Sequence, residues 1–211
     1  MINYGYGVSL SRLQECDKIK VFQWRNDKSI WKWCRQTSPI HWANHCKWFD
    51  KQSADPSISM FGIFKSDSLV GVCGFTDMDY LNRRAEFSLY IGLEYQRKGY
   101  AFSALQTLFY HGFADLNFRT IWGETMGGNP AIHLFTKFGM STDGYRRHFY
   151  YKNGEYLDAL MLCMTREEFS NECVRWEGTY AGDKDTDRTG ILGAWDRMLH
   201  RDKAAEGDSK D

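Results

Sequence analysis

The chain has 211 residues, and its 27 lysines and arginines balance 27 aspartates and glutamates, so no net charge draws it to nucleic acid or to an anionic membrane surface. Aromatic residues make up 16% of the chain, with eight Trp and twelve Tyr, enough for a large core or an aromatic pocket. Cys16, Cys34, Cys46, Cys73, Cys163 and Cys173 form no CxxC pair and no disulfide-like spacing, there is no charged-then-apolar leader pattern, and no apolar run reaches about eighteen residues; a soluble, cytoplasmic protein with reduced thiols is expected.

Along the chain, Tyr4, Tyr6 and Val8 alternate over residues 3–9, as in a first strand. Ser9 to Cys34 reads as helical, from the spacing of Leu10, Leu13, Ile19, Val21, Phe22 and Ile30, with Ser9 or Asp17 as cap. Pro39 in the Thr37–Ile40 break suits a helix start, and His41 to Gln52 is expected as a helix with Trp42, Cys46 and Phe49 on one face. Met60 to Phe64 and Leu69 to Asp77 read as strands joined by the turn Lys65-Ser66-Asp67-Ser68, and a third meander strand begins at Ala85. Phe118 to Thr125 is expected as a strand parallel to it, because a crossover helix joins the two. Asn129 stands where an N-cap belongs, Pro130 at the first helical position, and a short helix runs from Ala131 to Phe138, stopped by Gly139. Phe149-Tyr150-Tyr151 and Tyr156 to Met164 form a hairpin across Lys152-Asn153-Gly154-Glu155. Two parts are expected, a folded domain over residues 1–169 and an extension over 170–211. In the extension Asp183–Asp187 is charge-dense, Ile191–His200 suits a short helix, and Ala204–Asp211 reads as disordered.

The stretch from Ala85 to Ala101 organises the rest. Phe87, Leu89 and Ile91 alternate with Glu86, Ser88 and Tyr90, as in a strand with two different faces. Gln96-Arg97-Lys98-Gly99 follows as a cationic loop, and Ala101, Leu105, Leu108, Phe109, Phe113 and Leu116 then make a helical apolar stripe. A strand, a glycine loop and a helix N-terminus aim several backbone N–H groups at one point, which suits an anion and above all a phosphate.

Gln96-Arg97-Lys98-Gly99-Tyr100-Ala101 resembles the pyrophosphate loop of the GNAT superfamily of acyl-CoA-dependent N-acetyltransferases, and Asn129-Pro130-Ala131-Ile132-His133-Leu134-Phe135-Thr136-Lys137 resembles a second segment of that family. The resemblance covers about residues 5 to 168. It is strongest to the subgroup holding ribosomal-protein N-terminal acetyltransferases and amino-sugar acetyltransferases of pseudaminic acid synthesis, through Trp24-Arg25-Asn26-Asp27, His45-Cys46-Lys47-Trp48-Phe49, Phe75-Thr76-Asp77-Met78-Asp79, Asn82-Arg83-Arg84-Ala85-Glu86 and Tyr151-Lys152-Asn153-Gly154-Glu155-Tyr156-Leu157-Asp158. It implies an α/β fold in which a mixed, mostly antiparallel sheet, flanked by helices, splays between two parallel central strands. Two departures stand out. Asn129 lies two residues before Ala131, one fewer than the family spacing, and Phe135 replaces a Tyr that often reprotonates the CoA thiolate.

The resemblance implies acetyl transfer from acetyl-CoA to a primary amine, directly in a ternary complex. Tyr90, Ile91, Gln96, Arg97, Lys98, Gly99, Tyr100, Ala101, Asn129, Phe135 and Lys137 are the expected cofactor contacts. An attacking ammonium must first lose a proton, for which Glu86 and Glu124 are candidates; Tyr150 is a candidate acid. Trp24, Arg25, Asn26, Asn82, Arg83 and His148 are expected at the cleft mouth. The expected acceptor is a small molecule, an amino sugar first, with a protein N-terminus as the alternative and a catalytically weak binding module as a third reading. A monomer or homodimer is expected, without membrane or nucleic-acid partner. No metal is expected: His41 and His45 share a helix face without a third ligand, and Asp183-Lys184-Asp185-Thr186-Asp187 begins like a calcium loop but has Arg188 and Ala194 where Gly and Glu belong.

Overall fold

The computed structural model describes residues 1–180 except 37 and 53. A first strand, β1 (Ser9–Arg12), is followed by α1 (Lys18–Asn26), a short α2 (Lys28–Trp31) and α3 (Trp42–Lys51). The meander β2 (Ser59–Lys65), β3 (Ser68–Asp79) and β4 (Arg84–Ile91) leads to α4 (Tyr100–Tyr110), whose last turn widens into a π-helical turn at His111–Asp115. Then come β5 (Thr120–Met126), α5 (Ala131–Phe138), the hairpin β6 (Ser141–Lys152) and β7 (Glu155–Thr165), and α6 (Arg166–Tyr180).

The seven strands form one sheet in the order β1-β2-β3-β4-β5-β7-β6. Every neighbouring pair is antiparallel except β4 and β5, which run parallel because α4 carries the chain back across the sheet. Strand alternation divides the apolar residues between two layers. Phe61, Ile63, Cys73, Phe75, Ala85 and Phe87 join Leu105, Leu108, Phe109 and Phe113 of the α4 segment in the larger core. Met60, Leu69 and Val72 point the other way and meet Val21, Trp24 and Ile30 of α1 and α2. The larger core also takes Phe169, Cys173 and Trp176, so α6 packs well past residue 169. Arg166 at its start is 1% exposed and donates to the Phe118 carbonyl and the Asn117 side chain, fixing the entry to β5.

The meander, the parallel β4–β5 pair, α5 and the final hairpin follow the sequence expectation. The N-terminal region does not. Ser9–Arg12 is a strand paired with Phe61–Phe64, not the start of a helix, and Ile2 bridges to Leu10. Leu10 and Leu13 have helical spacing, but Leu10 is wholly buried against the sheet and α1 starts only at Lys18. On α3 the buried residues are His45 and Phe49, while Trp42 is largely exposed, so the inward face is rotated from the one expected. Asp183–Asp187, Ile191–His200 and Ala204–Asp211 lie outside the described residues.

His45 is enclosed by the rings of Phe22, Trp42, Trp48 and Phe49, with Nε2 2.9 Å from the Lys18 carbonyl, to which it donates in the tautomer that fits this contact. Burial, with Arg25 and Lys18 nearby, holds its pKa below the ordinary 6.5. The unfolded imidazole therefore takes a proton near that pH while the folded one resists, and stability falls as the pH drops from neutral. Urea unfolding between pH 7 and pH 5 should show a declining midpoint, and His45→Gln should flatten that decline. Trp176 stacks among Phe102, Phe138 and Phe169 at centroid distances of 5.4, 4.8 and 5.7 Å. Trp176→Ala should cost about 3–5 kcal/mol in the same assay, whereas a helix merely appended after residue 169 would cost little.

Candidate active site

The parallel ladder between β4 and β5 spans only Arg84–Glu86 against Thr120–Trp122. Beyond it β4 stays with β3 and β5 stays with β7, so the two strands part. Phe87 and Gly123 stand at the parting. A Cβ on Gly123 would lie 2.3 Å from the Phe87 ring, so only glycine lets the ring fill this point. The ring also packs edge-on against Phe109 and Phe135, at 5.4 and 5.2 Å. Paired residues of a parallel ladder share a face, so Glu86, Trp122 and, two residues on, Glu124 stand on the same side of the sheet, opposite α4.

The two carboxylates are joined by a residue that the sequence did not single out. Arg35, from the segment after α2, pairs through Nη2 with Glu86 Oε1, donates from Nη1 to Glu86 Oε2 at 3.3 Å, and brings Nε to 3.6 Å from Glu124 Oε1. Thr76 donates to Glu86 Oε2 at 3.2 Å, and Arg146 to Glu124 Oε2 at 3.0 Å. Tyr150 donates its hydroxyl to Glu124 Oε1. Burial, and then that bond, push the phenol above its ordinary pKa of 10.0, so it keeps its proton at neutral pH. The Glu124 side chain is 3% exposed, whereas those of Arg35 and Arg146 are 56% and 51% exposed; the acids form the floor and the arginines the lid.

The Arg35 segment is held by a buried ammonium. Lys152 Nζ donates to the carbonyls of Trp31 and Lys32 at 3.3 Å each, of Gln36 at 2.8 Å, and of Cys34. Arg25 donates to the Gln36 side chain at 3.0 Å, and Asn26 makes a two-way bond with the backbone of Ile40. An irregular segment with no ladder or helix to satisfy its carbonyls thus finds its donors in side chains.

At the end of β4, Gln96 Nε2 donates to the Ile91 carbonyl at 3.1 Å and turns the chain into the loop. Arg97 and Gly99 both have positive φ, 59° and 81°, which curls successive N–H groups toward one side. Among the described residues the backbone N–H groups of Arg97 to Ala101 have no acceptor, and the α4 N-terminus stands behind them. Such a cradle of N–H groups at a helix start fits a pyrophosphate.

The remaining expected site residues are elsewhere or otherwise engaged. Trp24 is buried, packs on Gly92 and donates to Glu94 at 3.2 Å, so it braces the loop after β4 from behind. Arg25 and Asn26 hold the Arg35 segment, as above. Asn82 folds onto Asp79, and Arg83 onto Asn117, at the ends of β4 and β5 that remain paired; neither is brought to the cleft. His148 stacks on Tyr156 in a bulge, where its N–H donates to Asp158. Asn129 accepts from the Ala131 N–H and donates to Thr125, both within its own turn. Phe135 is core, so no acid stands there. Lys137 is exposed in the last turn of α5. Tyr90 packs toward α1, its hydroxyl buried without a partner among the described residues. Arg35, Arg146, Thr76 and Lys152 went unread as site residues; Thr76 and Lys152 carried a signal, as parts of the Phe75–Asp79 and Tyr151–Asp158 resemblances. Among the described residues no group of three His, Cys, Asp or Glu suits a metal.

Residues 8–141 match the family described as Acetyltransferase (GNAT) domain, and the chain belongs to that family. It is an acyltransferase that moves acetyl to an amine. Its relatives include the spermidine N(1)-acetyltransferase of Escherichia coli (strain K12), 27% identical over 168 residues, 79% of this chain and 90% of that one. The ribosomal-protein-serine acetyltransferase of the same strain is 40% identical over 52 residues, 25% of this chain and 29% of that one. The solved spermidine N-acetyltransferase from Vibrio cholerae, in complex with CoA and spermine, superposes with a TM-score of 0.74 at 22% identity, covering 78% of this chain and 99% of that one. No helix among the described residues is long and apolar enough to cross a membrane.

Replacing Lys152 with Met leaves the carbonyls of residues 31, 32, 34 and 36 without their shared donor. We expect a loss of about 1–3 kcal/mol in stability and faster amide hydrogen exchange confined to the segment around Arg35, read by mass spectrometry.

Proposed function

We propose that the chain transfers acetyl from acetyl-CoA to the primary amine of a small molecule, an amino sugar being the preferred class, by direct attack in a ternary complex. The observation that carries this reading is the joint placement of the anion cradle at Arg97–Ala101 and the carboxylate pair Glu86 and Glu124 at the β4–β5 parting. The N–H groups of the cradle, with Arg97 and Lys98, would hold the pyrophosphate of the co-substrate. Its thioester would then lie along the open edge of β4, within reach of an amine entering at the parting.

Glu124 is the proposed base and Tyr150 the proposed acid. Glu124 takes one proton from the ammonium. The neutral amine attacks the thioester carbonyl, a C–N bond forms and the C–S bond breaks. Tyr150 gives its proton to the departing thiolate and recovers one from Glu124 across their hydrogen bond. Two protons leave the ammonium in all: one reaches the thiol through Glu124 and Tyr150, the other is lost to water from the acylated nitrogen as the C–S bond breaks, and no group of the protein is left altered. Glu86 supports Glu124 through their shared contact with Arg35. A cysteine nucleophile does not fit: burial raises the Cys73 thiol, and it pushes Cys163 up to about 12, with Asp143 adding to the effect. The similarity to spermidine acetyltransferases favours a small-molecule amine over a protein N-terminus.

A thiol-release assay with acetyl-CoA and a panel of amines, alongside calorimetry of CoA binding, tests this reading; folded protein that does not bind CoA would sink it. Glu124→Gln should lower kcat about 10²–10⁴-fold while CoA affinity stays the same. Tyr150→Phe should lower kcat in the same way. Because the Tyr150 pKa is raised, the alkaline fall in kcat should lie above pH 10.0 in the wild type.

A further inference from the structure

The carboxylate pair already holds a cation. Arg35 spans Glu86 and Glu124, and Arg146 closes the remaining side of Glu124, so two negative charges face two positive ones. The other groups at the pair, the hydroxyls of Thr76 and Tyr150, are neutral donors. Asp158 accepts from the His148 N–H and Glu94 from the Trp24 indole, so each is held in its own turn and neither bonds to Arg35 or Arg146.

We propose that Arg35 sets the charge of the acceptor: by occupying the Glu86–Glu124 pair it admits a monoamine with a neutral or anionic body and rejects polyamines. This rests on the acetyl-transfer reading above. An incoming ammonium can reach Glu124 only by taking the place of the Arg35 guanidinium, which is half-exposed and able to swing outward. That exchange is one charge for one. With the first ammonium and Arg146 in place the two carboxylates are already balanced, and a second or third ammonium on the same molecule would lie beside Arg146 and the displaced Arg35, where like charges at close range in a partly desolvated cleft repel strongly. The displaced arginine cannot go far, because the backbone of its segment converges on Lys152. An acceptor with an anionic group gains instead, since Arg146, lying over the Phe149 ring at 4.9 Å, offers a positioned cation at the cleft wall.

The test is calorimetric titration of spermidine into the full chain, with and without saturating CoA. We expect no saturable spermidine binding in the millimolar range for the wild type, binding at least tenfold tighter for Arg35→Gln, and wild-type behaviour for Arg35→Lys. Adding Glu86→Gln to Arg35→Gln should remove the gain. Thermal melts check that each variant is folded. Wild type that binds spermidine as tightly as Arg35→Gln, or a folded Arg35→Gln that gains nothing, would overturn the inference. CoA binding in the same titrations reports on the acetyl-transfer reading separately, so the two failures are told apart.

Discussion

The parting of β4 from β5 after three paired residues is the constraint on which the rest of the molecule depends. Two parallel strands joined by a crossover helix would ordinarily stay paired to their ends. Here the Phe87 ring lies across Gly123, where any side chain would collide with it, and both strands find other partners, β3 on one side and β7 on the other. The lost ladder bonds are offset by a ring packed against Phe109 and Phe135. The opening exposes the end of β4 beside the α4 N-terminus and places two glutamates on one wall.

Once the opening exists, its chemistry follows from charge bookkeeping in a confined space. Two carboxylates on one face of a sheet repel unless cations lie between them. Arg35 and Arg146 supply those cations from opposite ends of the chain, one from the segment after α2 and one from the β6 edge strand. Lys152, on the same strand as Arg146, holds the Arg35 segment through its carbonyls, so the final hairpin governs both arginines. Helical and β layers otherwise distant in sequence therefore meet at one site, and the aromatic cluster around the buried His45 of α3 ties that helix to α1.

Where a residue's role depended on its own neighbours in sequence, it could be read. The alternation of Phe87, Leu89 and Ile91, the turn at Lys65–Ser68, the glycine loop before α4 and the Asn-Gly turn before β7 all act over a few residues, and all appear as expected. Roles that depended on register or on distant partners could not. Arg35 is an unremarkable arginine until the β4–β5 register brings Glu86 and Glu124 together beneath it. Asn82 and Arg83 precede the organising strand and so seemed close to the cleft, yet a strand has two ends, and theirs is the one that stays paired. Leu10 shows how spacing misleads when an edge strand and a helix offer similar apolar patterns.

By itself, the sequence determined the family, the elements from β2 onward and the place of the glycine loop before α4, because these rest on local periodicity, on glycine's freedom at positive φ and on the N–H groups at a helix start. Only the tertiary structure decided which groups the acids meet. It set Glu86 and Glu124 on one face, tied Glu124 to Tyr150, and delivered Arg35 to both. The physical reason is that electrostatic interactions act through space. Which charges meet is fixed by strand register and by where a side-chain-held segment comes to rest.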